Sequence, residues 1–522
     1  MSSPIGYRSD VDGLRAIAVA VVVLFHAGLP GFSGGYVGVD VFFVISGFLI
    51  TTLIVREIDI GSFSIARFYE RRVRRIFPAL FVVCAVTTVA SSIVMSPMDL
   101  VDFAKSLAAT AFFASNVYFW RTSDYFDAPA ETKPLLHTWS LAVEEQYYVV
   151  VPVLLLVLAK LGVKKLGRVF WPLALASLAF GAWGVRAIPT STFYLLPARF
   201  FEILAGGLVA VGAVPTLRST TARDVSTVAG LALIGASVVL FTHETLFPGD
   251  GALLPVVGAA LVVHGGPSGA TRAGALLSSR PLVWLGLRSY SLYLWHWPLF
   301  ALAKQALLRP LDVAEQVALV LLSLALADLS YRFVETPFRA HGAGARTSTR
   351  GVLAWSAAPM AASAALALAL VVTDGLPQRF PGFVQEEIAR GTKGSGRCML
   401  TAAQSKEHYD DDACVVVADD EGPRVLLWGD SLAGHFRAGL DALASSTTSP
   451  GLTVVQYTAT MCPPVFGWSS VARPHCGAFN DDVWRVVDEQ RIDTVVLASR
   501  WQVVKGRRGG ARTVPLDGAR PA

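Results

Sequence analysis

The sequence predicts a multi-pass α-helical membrane domain of about eleven transmembrane helices, followed by a smaller extracytoplasmic α/β domain. Three observations predict it. Apolar residues make up 53% of the 522-residue chain and charged residues only 16%, with a mean hydropathy of +0.52, which excludes an ordinary soluble protein. Eleven apolar runs lie at roughly 14–29, 37–55, 76–95, 141–159, 170–187, 197–213, 226–242, 252–264, 289–307, 314–333 and 352–373. Most are near the length a bilayer requires; 252–264 is the shortest. Beyond residue 397 the pattern changes to short buried strands alternating with helical periodicity, as in a parallel sheet with crossover helices.

The loops give the orientation. Those after runs two, four, six, eight and ten carry the basic stretches R-F-Y-E-R-R-V-R-R, K-L-G-V-K-K-L-G-R, L-R-S-T-T-A-R, T-R…S-R and F-R-A-H-G-A-G-A-R-T-S-T-R. This fits a cytoplasmic amino terminus, since basic loops stay inside. Residues 103–120 are read as an interfacial or extracytoplasmic helix, because counting them as a span would place K-L-G-V-K-K-L-G-R outside. Eleven passes leave the chain after about residue 374 outside the cytoplasm. No small-residue cleavage site follows the first run, so it reads as an uncleaved signal-anchor. The expected domains are 1–340 with ten spans, 341–396 with a further helix and a Pro/Gly-rich linker from 374, and 397–522.

Cysteine usage agrees with that placement. Cys84 stands alone in a span, as a small core residue. Cys398, Cys414, Cys462 and Cys476 all lie in the last domain, which reads as a disulfide framework. Local loops favour Cys398–Cys414 and Cys462–Cys476. Zinc is the competitor, but the short C-x₂-C pairs of zinc sites are missing and no metal is expected.

The first run also holds Arg15 and His26 inside an otherwise lipid-like helix. Eleven residues apart, they fall within about 20° of one face, about 16 Å apart along the axis. Charged and ionisable groups at such depth are costly, which marks them as functional candidates. The bland alternative is an Arg15 that snorkels to the headgroups and a His26 that closes the outer end.

Six motifs then fall in order along residues 7–338: Arg15 and His26 as R-x₁₀-H, F-F-V-I-S-G-F-L-I at 42–50, R-R-V-R-R-I-F-P at 71–78, H-T-W-S-L-A-V-E-E-Q-Y-Y at 137–148, S-Y-S-L-Y-L-W-H-W-P at 289–298 and Y-R-F-V-E-T-P-F-R at 331–339. On these residues the chain resembles the acyltransferase-3 family of integral membrane proteins. The resemblance implies an O-acyltransferase, most often an O-acetyltransferase, in the bacterial inner membrane. Its donor would be cytoplasmic acyl-CoA. Its acceptor would be a carbohydrate at or beyond the outer leaflet: a lipopolysaccharide or peptidoglycan sugar, a glycolipid or another surface glycan. Nucleic acid has no place in this reading.

Arg71, Arg72, Arg74 and Arg75 cluster at the mouth of the third span. Guanidinium forks suit phosphate, and the resemblance makes the cluster a site for the CoA phosphates. On charge alone an ordinary positive-inside anchor explains it. His26 would remove the proton from the acceptor hydroxyl, and Arg15 would guide the pantetheine end or stabilise charge on the thioester oxygen. Glu144 and Glu145 begin the fourth span; one of the two carboxylates would orient His26, the sequence does not say which faces inward, and Glu145 is taken into the catalytic set. Ser46, His137, Trp139, His296 and Glu335 are expected to line the cavity or hold the acceptor. Glu202, Trp295 and Trp297 are further candidates, although an aromatic belt explains the tryptophans as well. Asp10 and Asp12 read as headgroup-level or capping residues.

G-D-S at 429–431 follows a buried strand and places Ser431 on a strand-to-helix turn. With C-P-P at 462–464 and V-V-L-A-S-R-W at 495–501, it resembles the SGNH hydrolase-like domain that is fused to one branch of the family. The pattern departs at its end. A late D-x-x-H block would supply the aspartate and histidine, but the sequence runs to Ala522 through a Gly/Arg-rich stretch without one. His435 and His475 stand in other contexts. Ser431 is therefore expected to be impaired and the domain incomplete. The rival readings are a transporter using the intramembrane charges as a substrate or proton path, and a sensor or scaffold anchored by the helices.

Overall fold

The computed structural model describes residues 7–122, 132–242, 244–266, 271–340, 349–379, 398–400, 409, 414–417, 422–444, 452–469 and 473–499. They fall in two units, Met1–Leu376 and Pro377–Ala522. Most of the 374–396 linker and the tail from 500 onward lie outside the described residues.

The first unit is helical: α1 Ser9–His26, α2 Gly38–Asp59, α3 Ile65–Val94, α4 Pro97–Ala111, α5 Ser115–Arg121, α6 Thr138–Lys160, α7 Gly167–Ala187, α8 Pro189–Tyr194, α9 Leu196–Ala210, α10 Thr220–Leu240, α11 Leu253–His264, α12 Arg272–Leu277, α13 Arg280–Leu307, α14 Val313–Ser330, α15 Thr336–Ala340 and α16 Thr349–Val372. A single π turn, Tyr331–Glu335, joins α14 to α15. Each apolar run of the sequence falls on one of these helices. Among the described residues, eight helical segments are long and apolar enough to cross a membrane, so the chain is a multi-pass membrane protein. Helices α1 and α13 carry internal charges, and α11 has only 12 residues. The 103–120 stretch is broken between α4 and α5, where Phe113 takes a φ of 53°.

Two kinds of surface hold this unit in place. Along α3, Val82, Val86, Val89 and Ile93 recur at helical spacing and stay exposed, as a lipid-facing stripe does. Inside, small residues let backbones touch. A Cβ added at Gly47 would collide with the Ile203 carbonyl, and one at Gly206 with the Val44 carbonyl, so α2 and α9 cross at backbone contact. Helices α1 and α13 do the same where Gly286 meets the Asp12 carbonyl.

The second unit is a small, mainly parallel sheet: β1 Met399–Leu400, β2 Val415–Val417, β3 Arg424–Gly429, β4 Thr453–Ala459 and β5 Thr494–Ala498. The order is β1-β4-β3-β5, with β2 antiparallel to β4. Helices α17 Ser431–His435 and α18 Arg437–Ala444 follow β3, and α19 Cys476–Glu489 precedes β5. Phe479, Val483 and Val486 form the apolar stripe of α19 and pack on Leu426, Trp428, Val455 and Tyr457 of the sheet. Cys398 is bonded to Cys414, and Cys462 to Cys476. Cys84 is free and buried.

Candidate active site

His26 ends α1, where side chains from α6, α8, α9 and α13 gather with it. Together they enclose a cavity of about 440 Å³ whose polar and aromatic lining includes His26, Tyr36, His137, Trp139, Arg199 and Trp297. That is a volume typical of ligand pockets. Trp297 stands edge-on to the His26 ring, 4.4 Å between centroids, and its indole donates to the Lys133 carbonyl at 2.8 Å. His137 is buried, yet neither ring nitrogen meets a hydrogen-bond partner at ordinary geometry among the described residues. An orphaned buried imidazole on a cavity wall is the kind of group a bound molecule satisfies.

Arg199 closes one side. It is 1% exposed and donates to Asp40 at 2.9 Å, Glu202 at 2.7 Å and the Phe193 carbonyl at 3.1 Å. The rings of Phe43, Trp139, Phe193 and Phe247 surround its guanidinium at 5.2–5.9 Å, a cation–π cage. Sequence reasoning missed Arg199 and Asp40. The available signal was the Arg-x-x-Glu pair within α9, which puts Arg199 and Glu202 on one face.

A second, narrower cavity of about 100 Å³ lies further along the same helices, lined by Arg15, Ser46, Arg72, Arg75, Glu144 and Tyr148, among others. Val39 and Tyr293 line both cavities and form the wall between them. The arginine cluster is therefore divided. Arg72 and Arg75, three apart on α3, face the cavity, and among the described residues the Nε atoms of both Arg72 and Arg71 are buried without an acceptor. Arg71 is paired with Glu57 at 3.0 Å and Arg74 with Glu70 at 3.1 Å. Arg15 also reaches Asp12, at 3.4 Å. Arg15 and His26 thus share a helix face but line different cavities.

Several expected placements change. The partner of His26 is His296, with 3.0 Å between ring nitrogens, and not Glu145. Glu144 and Glu145 sit about 11–12 Å further along α6 than His137, a depth at which Glu144 accepts from Ser46 at 2.9 Å and Tyr148 at 3.3 Å. Glu145 Oε1 is buried and has no hydrogen-bond partner among the described residues. His296 is fully buried behind His26 and is not on the cavity wall. Glu335 lies outside both cavities, accepting from Ser291 and pairing with Arg339 at 3.7 Å. Trp295 is a core residue. Asp10 pairs with Arg8 at 2.6 Å.

In the second unit Ser431 opens α17, and Asp430 caps that helix. The Asp430 carboxylate accepts from the Leu432 amide at 2.9 Å and the Ser499 hydroxyl at 2.8 Å. His435 and His475 are exposed, and neither is hydrogen-bonded to Ser431. Among the described residues no group of three or more His, Cys, Asp or Glu side chains could hold a metal ion.

Comparison with known proteins agrees with both units. The family model described as an acyltransferase domain matches residues 8–332, and that of the SGNH domain fused to such domains matches 397–520. The chain is 30% identical over 358 residues to the peptidoglycan O-acetyltransferase OatA of Listeria monocytogenes, covering 64% of this chain and 56% of that one. It is 30% identical over 355 residues to the O-acetyltransferase OatA of Staphylococcus aureus (strain NCTC 8325), covering 64% and 58%. The match thus spans a little over half the length of each relative. No solved structure matches the chain. With a family model covering most of its length and the fused second domain also matched, this chain belongs to the acyltransferase-3 family of membrane proteins.

Proposed function

We propose that the protein is a membrane O-acetyltransferase that moves an acetyl group from cytoplasmic acetyl-CoA to a surface carbohydrate, with peptidoglycan as the first acceptor to test. The observation that carries this reading is the pair of cavities divided by Tyr293 and Val39: one has guanidinium groups without full pairing, the other an imidazole beside aromatic walls. Arg72 and Arg75 bind the CoA phosphates, because their forked donors match phosphate oxygens. Arg15 lies deeper on the same cavity, where it guides the pantetheine arm on its way toward His26. His26 takes the proton of the acceptor hydroxyl. The hydroxyl oxygen bonds the acyl carbon, the carbon–sulfur bond breaks, and the proton held by His26 passes to the departing thiolate. Trp139 and Trp297 offer flat apolar faces for a sugar ring. In this reading the arginine end of the bundle faces the cytoplasm, as the basic loops favour. The second unit lies outside, where it presents the acceptor.

Membranes containing the protein, radiolabelled acetyl-CoA and a panel of glycans including peptidoglycan fragments test this. Label should reach a glycan with the wild type and not with His26→Ala, while both insert equally. No transfer from correctly inserted wild type would overturn the enzyme reading in favour of transport.

A further inference from the structure

His26 and His296 form a directed chain of hydrogen bonds that begins at the backbone of α13. Nδ1 of His296 lies 2.7 Å from the Tyr293 carbonyl oxygen and 3.2 Å from that of Leu292. A carbonyl only accepts, so this nitrogen carries a hydrogen. In a neutral imidazole the other nitrogen is then bare and can only accept. That nitrogen, Nε2 of His296, lies 3.0 Å from Nδ1 of His26, with the two ring planes within 19° of parallel. The hydrogen between the rings must therefore belong to His26 Nδ1. A neutral His26 is left with its lone pair on Nε2, which makes no hydrogen bond to a described residue, while the His26 ring lines the larger cavity.

From this geometry we infer that His296 is the positioning residue of the site: it fixes His26 as the Nδ1-protonated tautomer and aims Nε2 at the acceptor hydroxyl. The inference deepens, and rests on, the acyltransferase reading given above. It also accounts for a feature of the pocket. A carboxylate behind a catalytic histidine would bring a charge into the bundle, whereas a second imidazole supplies an acceptor while remaining neutral. The backbone carbonyls at the far end fix which way the chain runs. Neither ring can swing freely, because His296 is fully buried and Trp297 stands against His26. The second histidine thus does through its tautomer what an orienting carboxylate does elsewhere.

Two measurements on the full-length protein in nanodiscs test it. The first is ¹⁵N NMR of histidine-labelled protein, with the His26 signals identified by their loss in His26→Ala. The expected spectrum has His26 Nδ1 protonated and Nε2 bare; the reverse assignment would overturn the proposal. The second is the kinetics of His296→Leu and His296→Gln. Leucine removes the acceptor, and kcat should fall by roughly 100-fold or more, the scale of general-base catalysis, with KM for acetyl-CoA little changed. Glutamine restores an acceptor near the Nε2 position and should recover most of that loss. Wild-type kcat in His296→Leu, or no recovery in a folded His296→Gln, would count against it. The NMR assignment needs no turnover, so it distinguishes a wrong tautomer from a wrong reaction. It also decides the matter if His296→Leu fails to fold.

Discussion

Tyr293 donates its phenolic hydrogen to the carbonyl of His137 across 2.9 Å, and in doing so closes the wall between the arginine cavity and the histidine cavity. The same hydroxyl lies 2.7 Å from Ser140 Oγ, so α13 is pinned to the start of α6 at this point. In the proposed reaction, an acyl group that leaves the arginines for His26 passes this side chain.

Removing the wall should separate donor cleavage from transfer. In Tyr293→Ala we expect acetyl-CoA hydrolysis without any acceptor to rise several-fold, because water gains access to the thioester. Tyr293→Phe keeps the ring and should leave that hydrolysis low. Thiol release, followed with and without glycan, reads both. Equal thiol release in all three proteins would show that Tyr293 is not a partition.

The divided arginine cluster makes a prediction by position. Arg72→Gln and Arg75→Gln should each raise KM for acetyl-CoA about 10- to 100-fold, the value of a charge-assisted hydrogen bond of roughly 1.5–3 kcal/mol. Arg71→Gln and Arg74→Gln remove residues already paired with Glu57 and Glu70 and should change it little. A uniform effect across all four would mean that the cluster acts only as a general positive field.

Arg199 neutralises buried carboxylates, so its loss should be structural. Arg199→Leu leaves Asp40 and Glu202 buried without a counter-ion, and we expect a cost of about 3–5 kcal/mol, seen as early thermal aggregation in detergent. Adding Asp40→Asn and Glu202→Gln to the same chain should restore much of the stability. If the triple variant is no better than Arg199→Leu, packing in the aromatic cage outweighs charge.

In the second unit, the bond between Cys462 and Cys476 closes a short loop that leads into α19. Cys462→Ser with Cys476→Ser should lower the stability of this unit by about 3 kcal/mol, as expected for a loop of this size. Limited proteolysis should then cut the second unit first and leave the helical unit intact. Unchanged resistance to protease would mean that the sheet core alone holds it.

The membrane helices were legible because bilayer thickness imposes one length and one hydropathy on every span. The strands of the G-D-S domain were legible from short apolar runs, V-L-L-W in β3, T-V-V in β4 and V-V-L-A in β5, of which β3 and β4 are largely buried and β5 is partly exposed. What sequence could not supply was helix rotation and depth. The phase that turns Arg72 and Arg75 inward and Arg71 outward is set by the neighbours of α3. The depth that carries Glu144 and Glu145 away from His26 is set by where α6 begins. Asp40 and Arg199 stand 159 residues apart, and nothing local in either stretch announces the pair. Strand β2 is three residues long and gave no periodicity to read.

The crossing of α1 and α13 at Gly286 has a reach beyond packing. From that crossing both helices run on unbroken, for about 15 Å along α13 to His296 and about 21 Å along α1 to His26. The helix pair behaves like a caliper: its pivot lies at backbone contact and its tips are two imidazoles 3.0 Å apart. A methyl group added at the pivot would spread the jaws, and a misplacement of about 1 Å at the tips is enough to cost on the order of 100-fold in rate. A glycine with no chemistry of its own thereby sets the gauge for the histidine to which the proposed reaction assigns the base.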